Sequence, residues 1–219
     1  MTTQVAIDGP AASGKTTIGK QLAKNLHCVF LDTGLMYRAA TWLTRNYAIS
    51  LKNEDAITQK ISEAEIHLTI INGSQRIIIN SEDITDMLHT SDINKSVSFV
   101  SKIKGVRDSL IQQQREIAKS DSIVMVGRDI GTVVLPDANF KFFLLASLEV
   151  RGQRRLREIL LKDANVNLKN VIDEIRHRDK LDSERELSPL KPSEDSICIN
   201  TDSLTIAEVV TDILQIIKA

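Results

Sequence analysis

Residues Gly9 to Thr16 read Gly-Pro-Ala-Ala-Ser-Gly-Lys-Thr, the spacing G-x-x-x-x-G-K-[ST], directly after the apolar run Val5-Ala6-Ile7. No other feature constrains the fold as tightly. Such a loop needs a buried strand to deliver it, a helix to leave it, and a backbone whose N–H groups turn inward around an anion. Glycine permits the positive φ angles this requires and leaves no side chain against the phosphates. In that geometry Lys15 reaches the terminal phosphates and Thr16 offers its hydroxyl to Mg²⁺. The helix opening near Gly14 points its positive end at the anion. Gly9, Pro10, Ala11, Ala12, Ser13, Gly14, Lys15, Thr16 and Thr17 are therefore the candidate set for binding a nucleoside triphosphate.

A chain of 219 residues can bury a sizeable core and has room for one α/β unit carrying an insertion. Lys and Arg number 28 against 29 Asp and Glu, a balance that gives no global reason to expect a nucleic-acid or membrane partner. The charge is locally uneven, since seven of the 13 arginines fall between Arg151 and Arg185. Cys28 and Cys198 sit in strand-like apolar runs without metal-ligand spacing, so both are expected as buried free thiols of a reducing cytoplasm. The N-terminus lacks the pattern of a signal peptide, and no apolar run approaches 18 residues, so a soluble cytoplasmic protein is expected.

Apolar spacing predicts a helix over Lys15 to Leu26 and a strand over Cys28 to Leu31, a β-loop-α-β unit whose strands should pair in parallel through a right-handed crossover. Asp32-Thr33-Gly34 breaks that strand and opens a helix, Leu35 to Asn46; residues 54 to 63 read as another. Between Ala64 and Asp86 the pattern becomes a hairpin, Ile66 to Ile71 and Arg76 to Ile79, turning at Asn72-Gly73-Ser74. Helices at 91–101 and 104–119 lead to a strand at 122–126 and the turn Gly127-Arg128-Asp129. A strand at 141–145, helices at about 147–162 and 167–182, a strand at 196–200 and a terminal helix complete the chain. Thr205 and Glu208 fit a capping box for the last helix.

The phosphate-binding loop alone does not separate kinases from GTPases or motor ATPases. A guanine-reading Asn-Lys-x-Asp is absent, because Asn94-Lys95 is followed by Ser96 and Val97. The strand Ile123 to Val126 ends in Gly127 rather than Asp-Glu. Instead, arginine recurs at Arg38, Arg107, Arg128, Arg151, Arg154, Arg155, Arg157, Arg178 and Arg185. Transfer between two phosphates gathers negative charge, and guanidinium forks match phosphate geometry.

Five elements in order, namely Gly9 to Thr16, Leu31-Asp32-Thr33-Gly34, Tyr37-Arg38, Gly127 to Val134 and Arg178-Asp179-x-x-Asp182-x-x-Arg185, resemble the bacterial cytidylate kinases over essentially the whole chain. The resemblance implies a nucleoside monophosphate kinase fold with a five-stranded parallel sheet. A core of 1–35, 105–146 and 183–219, a monophosphate-binding region of about 36–104 enlarged by the β hairpin, and a lid of about 147–165 would follow. It implies ATP and Mg²⁺ as donor and metal, CMP and dCMP as acceptors, and a monomer. Lys15 and Thr16 would hold the donor phosphates and Mg²⁺. Arg38, Arg128 and Arg178 would surround the acceptor phosphate and its ribose side, with Asp182 and Arg185 completing the ribose contact. Ser98, Arg107 and Asp129 would read cytosine, Thr33 and Tyr37 would line the acceptor site, and Arg151, Arg154 or Arg155 would come over the transferring phosphoryl. Arg154 is also a candidate donor contact, and Lys15, Arg128 and Arg155 are the candidate catalytic residues. Where similar proteins carry Asp or Glu before Gly-Arg-Asp, this chain has Val126. Weaker turnover is expected from that, with Asp32 sharing the outer-sphere Mg²⁺ contact.

Each assignment has an alternative. Asp129 fits a turn cap, the 151–157 arginines fit a solvated helix face, and Arg178, Asp182 and Arg185, at spacings of four and three, fit a surface ion-pair ladder. Trp42 and Met36 fit helix packing, and His27, His67, His89 and His177 show no metal or triad arrangement. A kinase for another small acceptor (UMP, AMP or a shikimate-like alcohol) and a non-catalytic nucleotide-binding protein are the competing functions.

Overall fold

A computed structural model describes residues 2–71, 74–160 and 166–219, which form two compact units: Met1–Phe30 with Ala118–Ala219, and Leu31–Ile117. In chain order the elements are β1 (Gln4–Asp8), α1 (Lys15–Leu26), β2 (Val29–Asp32), α2 (Thr33–Asn46), α3 (Glu54–Ser62), β3 (Ile66–Ile71), β4 (Ser74–Ile79), β5 (Glu82–Asp83), α4 (Ser91–Val100), α5 (Lys104–Ser120), β6 (Ile123–Val126), β7 (Phe140–Leu145), α6 (Leu148–Leu160), α7 (Leu168–Ser183), β8 (Ile197–Asn200) and α8 (Ile206–Lys218).

The five-stranded parallel sheet has the order β2-β6-β1-β7-β8, so the strand that delivers the phosphate-binding loop is central. Its apolar residues follow the period of two that a strand imposes. Val5 and Ile7 of β1, Val124 and Val126 of β6, and Phe142 and Leu144 of β7 share one face. They pack against Ile18, Leu22 and Ala23 of α1 and Val209, Val210 and Ile213 of α8. β1 and β6 are buried on both faces, which is why they read as continuous apolar runs. The edge strand β8 is different: Ile197 and Cys198 are exposed. The expectation of two buried thiols is therefore corrected. Both cysteines are free, but Cys198 lies on an uncovered edge and Cys28 is half-buried, with burial pushing its thiol pKa up.

In the other unit, α2 is capped by Asp32, whose carboxylate accepts from the Gly34 N–H at 3.0 Å, so the helix starts at Thr33, earlier than apolar spacing alone indicates. β3 and β4 form the expected antiparallel hairpin; Asn72 and Gly73 of the expected turn lie outside the described residues. A third strand, β5, follows through Asn80 and Ser81, both at positive φ (49° and 72°). That is the backbone a two-residue hairpin turn demands. Two short helical segments were also missed: a 3₁₀ turn at Thr85–His89 and a π-helical turn at Ile130–Val134. The Thr205–Glu208 capping box on α8 is present in both directions.

Candidate active site

Gly9 leaves β1 at φ +147°, and a Cβ there would sit 2.4 Å from the carbonyl oxygen of Leu144. Only glycine lets the chain turn off the sheet this close to β7. The loop closes at Gly14, with φ +95°, into the first turn of α1. Lys15 is buried and folds back over the loop, donating to the carbonyl of Pro10 at 2.6 Å and to Ser13 Oγ at 3.1 Å. An ammonium held inside a loop at a helix N-terminus is the donor set a polyphosphate requires.

At the end of β6, Arg128 Nε donates to Asp182 Oδ2 of α7 at 2.9 Å, and Arg185 lies 3.5 Å from Asp129 Oδ1. Asp129, Asp182 and Arg185 are all buried. These cross-element pairs displace the surface-ladder alternative for α7. Asp129 makes no capping hydrogen bond to the π-helical turn that follows it, which removes the turn-cap alternative. Arg178 joins the cluster with its Nε buried and without a hydrogen-bond partner among the described residues. Burial, reinforced by the charges of Arg128 and Arg155, lowers its guanidinium pKa to about 10 in spite of Asp182 and Asp179. For Asp182, burial raises the pKa, but attraction from Arg128, Arg178 and Arg185 outweighs it and holds the carboxyl below the usual range. Arg128, Arg178 and Arg185 thus gather around Asp182, with Asp129 beside Arg185 and Asp179 acting on Arg178.

The arginines of α6 are divided. Arg151 is buried and donates to the carbonyls of Ala146 and Ala11 and to Asp179, which in turn accepts from the Ala11 N–H at 3.3 Å. Arg154 donates to Thr201 Oγ1 at 3.0 Å and to the Thr201 carbonyl. Arg155 is half-exposed and pairs with Glu158, and Arg157 is exposed. A solvated face therefore describes Arg157 and not Arg151.

In the Leu31–Ile117 unit, Thr33, Tyr37 and Arg38 lie along α2, Ser98 on α4 and Arg107 on α5. Arg38 donates to the Leu88 carbonyl at 2.9 Å and to Asn94 Oδ1 at 2.7 Å, which fixes its fork. Arg107 is only 2 % exposed, donates to the Ser101 carbonyl at 3.4 Å and stands 5.7 Å from the Tyr37 ring centroid. Thr33, Tyr37 and Ser98 are buried, as is Met36, whereas Trp42 is half-buried.

The sequence profile of one family, described as cytidylate kinase, matches residues 5–219. The chain belongs to the cytidylate kinase family. Cytidylate kinase of Bacillus licheniformis is 47 % identical over 214 residues, covering 97 % of this chain and 95 % of the relative. Those of Bacillus velezensis and Bacillus subtilis are 45 % and 41 % identical, each over 98 % of this chain and 96 % of theirs. Among solved structures, an uncharacterised protein of Eubacterium ventriosum (TM-score 0.54, 14 % identity) and shikimate kinase of Bacteroides thetaiotaomicron (TM-score 0.50, 13 % identity) each align over 99 % of both chains and share the fold. The cytidylate kinase family is one of ATP-dependent nucleoside monophosphate kinases, and this chain is such a phosphotransferase. No helix among the described residues is long and apolar enough to cross a membrane.

Sequence reasoning gave no role to Asp8, Asp179, Asn94 or Ser101. Asp8 carried a signal: it follows the buried apolar run Val5-Ala6-Ile7 in the same strand, on the face opposite Val5 and Ile7. Its carboxylate accepts from the N–H groups of Ile130 at 2.9 Å and Gly131 at 2.8 Å.

Proposed function

We propose that the protein transfers the γ-phosphate of ATP to CMP or dCMP, working in the cytoplasm as a monomer. The buried Arg178 Nε, without a hydrogen-bond partner among the described residues and set beside Arg128, carries this reading, because guanidinium forks match the geometry of a phosphate dianion. Arg38, Arg128 and Arg178 hold the acceptor phosphate, and Asp182 with Arg185 holds the ribose. Thr33 and Tyr37 are assigned to the acceptor by their match to the family's motifs. The loop residues Gly9 to Thr17 cradle the donor, with Arg154 as a further donor contact. Thr16 offers its hydroxyl to Mg²⁺, which supplies charge neutralisation at the donor phosphates when bound. Arg155, whose pair with Glu158 is partly exposed, approaches the transferring group.

No general base is needed. A phosphate monoester, with a second pKa of about 6, is already ionised at neutral pH and is its own nucleophile. Catalysis then rests on in-line positioning and charge neutralisation by Lys15, Arg128 and Arg155. For the base, Asp129 accepts from the N4 amine of cytosine, while Arg107 and Ser98 donate to N3 and O2. Uracil presents O4 to the Asp129 carboxylate, at a cost of about 1 to 3 kcal/mol for each buried group left unpaired. Asp129→Asn replaces an acceptor by a donor, so the ratio of kcat/KM for CMP over UMP should fall by about tenfold or more. An unchanged ratio in a folded variant would remove Asp129 from base selection.

A further inference from the structure

β1 ends in Asp8, and the next residue, Gly9, begins the phosphate-binding loop. β6 ends in Val126, and the chain then passes through Gly127, Arg128 and Asp129 into the π-helical turn at Ile130–Val134. The first N–H groups of any helical turn have no partner within it. Asp129 occupies the capping position here and makes no capping bond. The caps come from the neighbouring strand instead, because both oxygens of Asp8 are engaged by Ile130 and Gly131. On the near side, the Gly127 N–H donates to the Ile7 carbonyl at 3.0 Å. Gly127 and Ile130-Gly131 are thus both fastened to Ile7-Asp8, and only Arg128 and Asp129 span the gap between the two fastenings.

We propose that Asp8 is a positioning residue for phosphoryl transfer, holding the Arg128-Asp129 span in fixed register with the phosphate-binding loop that begins at the next residue. The inference rests on the acceptor roles proposed above for Arg128 and Asp129. Asp8 is only 5 % exposed, a costly place for a carboxylate whose work would be structural alone. Burial raises its pKa to about 6, opposed by the two N–H donors; Asp129 adds to the rise and Lys15 opposes it. These are the charged groups that face it, and Phe143 is its register partner on β7. Ionised, Asp8 accepts both bonds. Protonated, it presents one O–H toward donors and gives up one of them.

The test uses Asp8→Asn, which keeps the shape and one acceptor but turns an amide NH₂ toward the second backbone N–H. In the full chain, kcat with CMP should fall 10- to 100-fold while KM for ATP stays within threefold. Amide exchange at Ile130 and Gly131 should accelerate at least tenfold, with Gly127 unaffected. A folded variant with kcat within twofold of the wild type overturns the inference. Should the variant not fold, the wild type decides: the amide shifts of Ile130 and Gly131 must titrate together with the Asp8 carboxyl at a midpoint near 6, and independent behaviour overturns the coupling. A wild type that phosphorylates no CMP refutes the acceptor assignment. An active wild type with an unimpaired Asp8→Asn variant refutes only the role given to Asp8.

Discussion

Replacing Val126 by Asp puts a carboxylate where the resemblance to cytidylate kinases leads one to expect an acid. Val126 is 1 % exposed and belongs to the apolar cluster of Ile7, Ile18 and Leu22 under α1. Its Cγ1 lies 2.6 Å from the point a Cβ on Gly19 would occupy, and Gly19 is one helical turn beyond Thr16. With no metal or partner, the new carboxyl must stay protonated to remain buried. Holding a group of ordinary pKa near 4 protonated at pH 7 costs about 4 kcal/mol, and at pH 5 about 1.5 kcal/mol. For a chain of this length each kcal/mol lowers Tm by about 2 to 4 °C, so the fall is roughly 8 to 16 °C at pH 7 and 3 to 6 °C at pH 5. The sign follows from linkage: the folded-state pKa is raised, so stability returns as pH falls and is lost as it rises. Mg²⁺ with ATP gives the carboxylate a partner and should restore at least half of the loss, beyond what the same ligands add to the wild type. The kinase rate at limiting Mg²⁺ should rise at the same time. Thermal melts at the two pH values, with and without Mg²⁺ and ATP, read all of this. Equal Tm values for variant and wild type at pH 7 would refute the buried placement. Equal ligand-induced shifts, with an unchanged rate, would refute the nearness of residue 126 to the metal.

Gly19→Ala should lower Tm by up to about 8 °C, because the added methyl meets Val126 at 2.6 Å and Phe30 at 2.8 Å. That overpacking costs about 1 to 3 kcal/mol against about 1 kcal/mol gained in helix propensity. Asp182→Asn should cost about 3 kcal/mol at pH 7 by removing the carboxylate that Arg128 pairs with and that attracts Arg178 and Arg185. The folded-state pKa of Asp182 is lowered, so its contribution is present above pH 4 and lost as pH falls through the lower value. The stability gap measured by urea unfolding should therefore shrink by pH 3, and a gap independent of pH would contradict the ion-pair account. Arg107→Lys keeps the charge but loses the planar fork held 5.7 Å from Tyr37. We expect kcat/KM for CMP to fall about 10- to 100-fold with KM for ATP unchanged; a smaller fall for CMP than for ATP would be contrary to a base-reading role.

The central strand, its loop and the alternation of helices with strands were legible because each rests on local chemistry: apolar period, a glycine-bearing anion loop, a reciprocal cap at Thr205 and Glu208. β5 was not legible, since two acidic residues carry no strand pattern and the turn before it depends on positive φ at Asn80 and Ser81. Cys198 was misjudged because burial of an apolar run depends on whether its strand lies inside the sheet or at the edge, and strand order is not local. In the candidate site, residue types near the motifs could be named, but their partners could not. The pairings Arg128 with Asp182 and Asp8 with Ile130 and Gly131 join residues 54, 122 and 123 positions apart. The same limit applied to Arg151, whose clustered sequence gives no sign that it reaches Ala11 while Arg157 faces water.

Initial rates of ADP formation from ATP and Mg²⁺, with CMP, dCMP, UMP, AMP and shikimate supplied separately, test the central claim most directly. The account predicts fast turnover with CMP and dCMP and a rate constant for UMP lower by about tenfold or more, from the unpaired O4 at Asp129. Preference for AMP or shikimate, or no ADP above the ATP-only background despite measurable ATP binding, would contradict it.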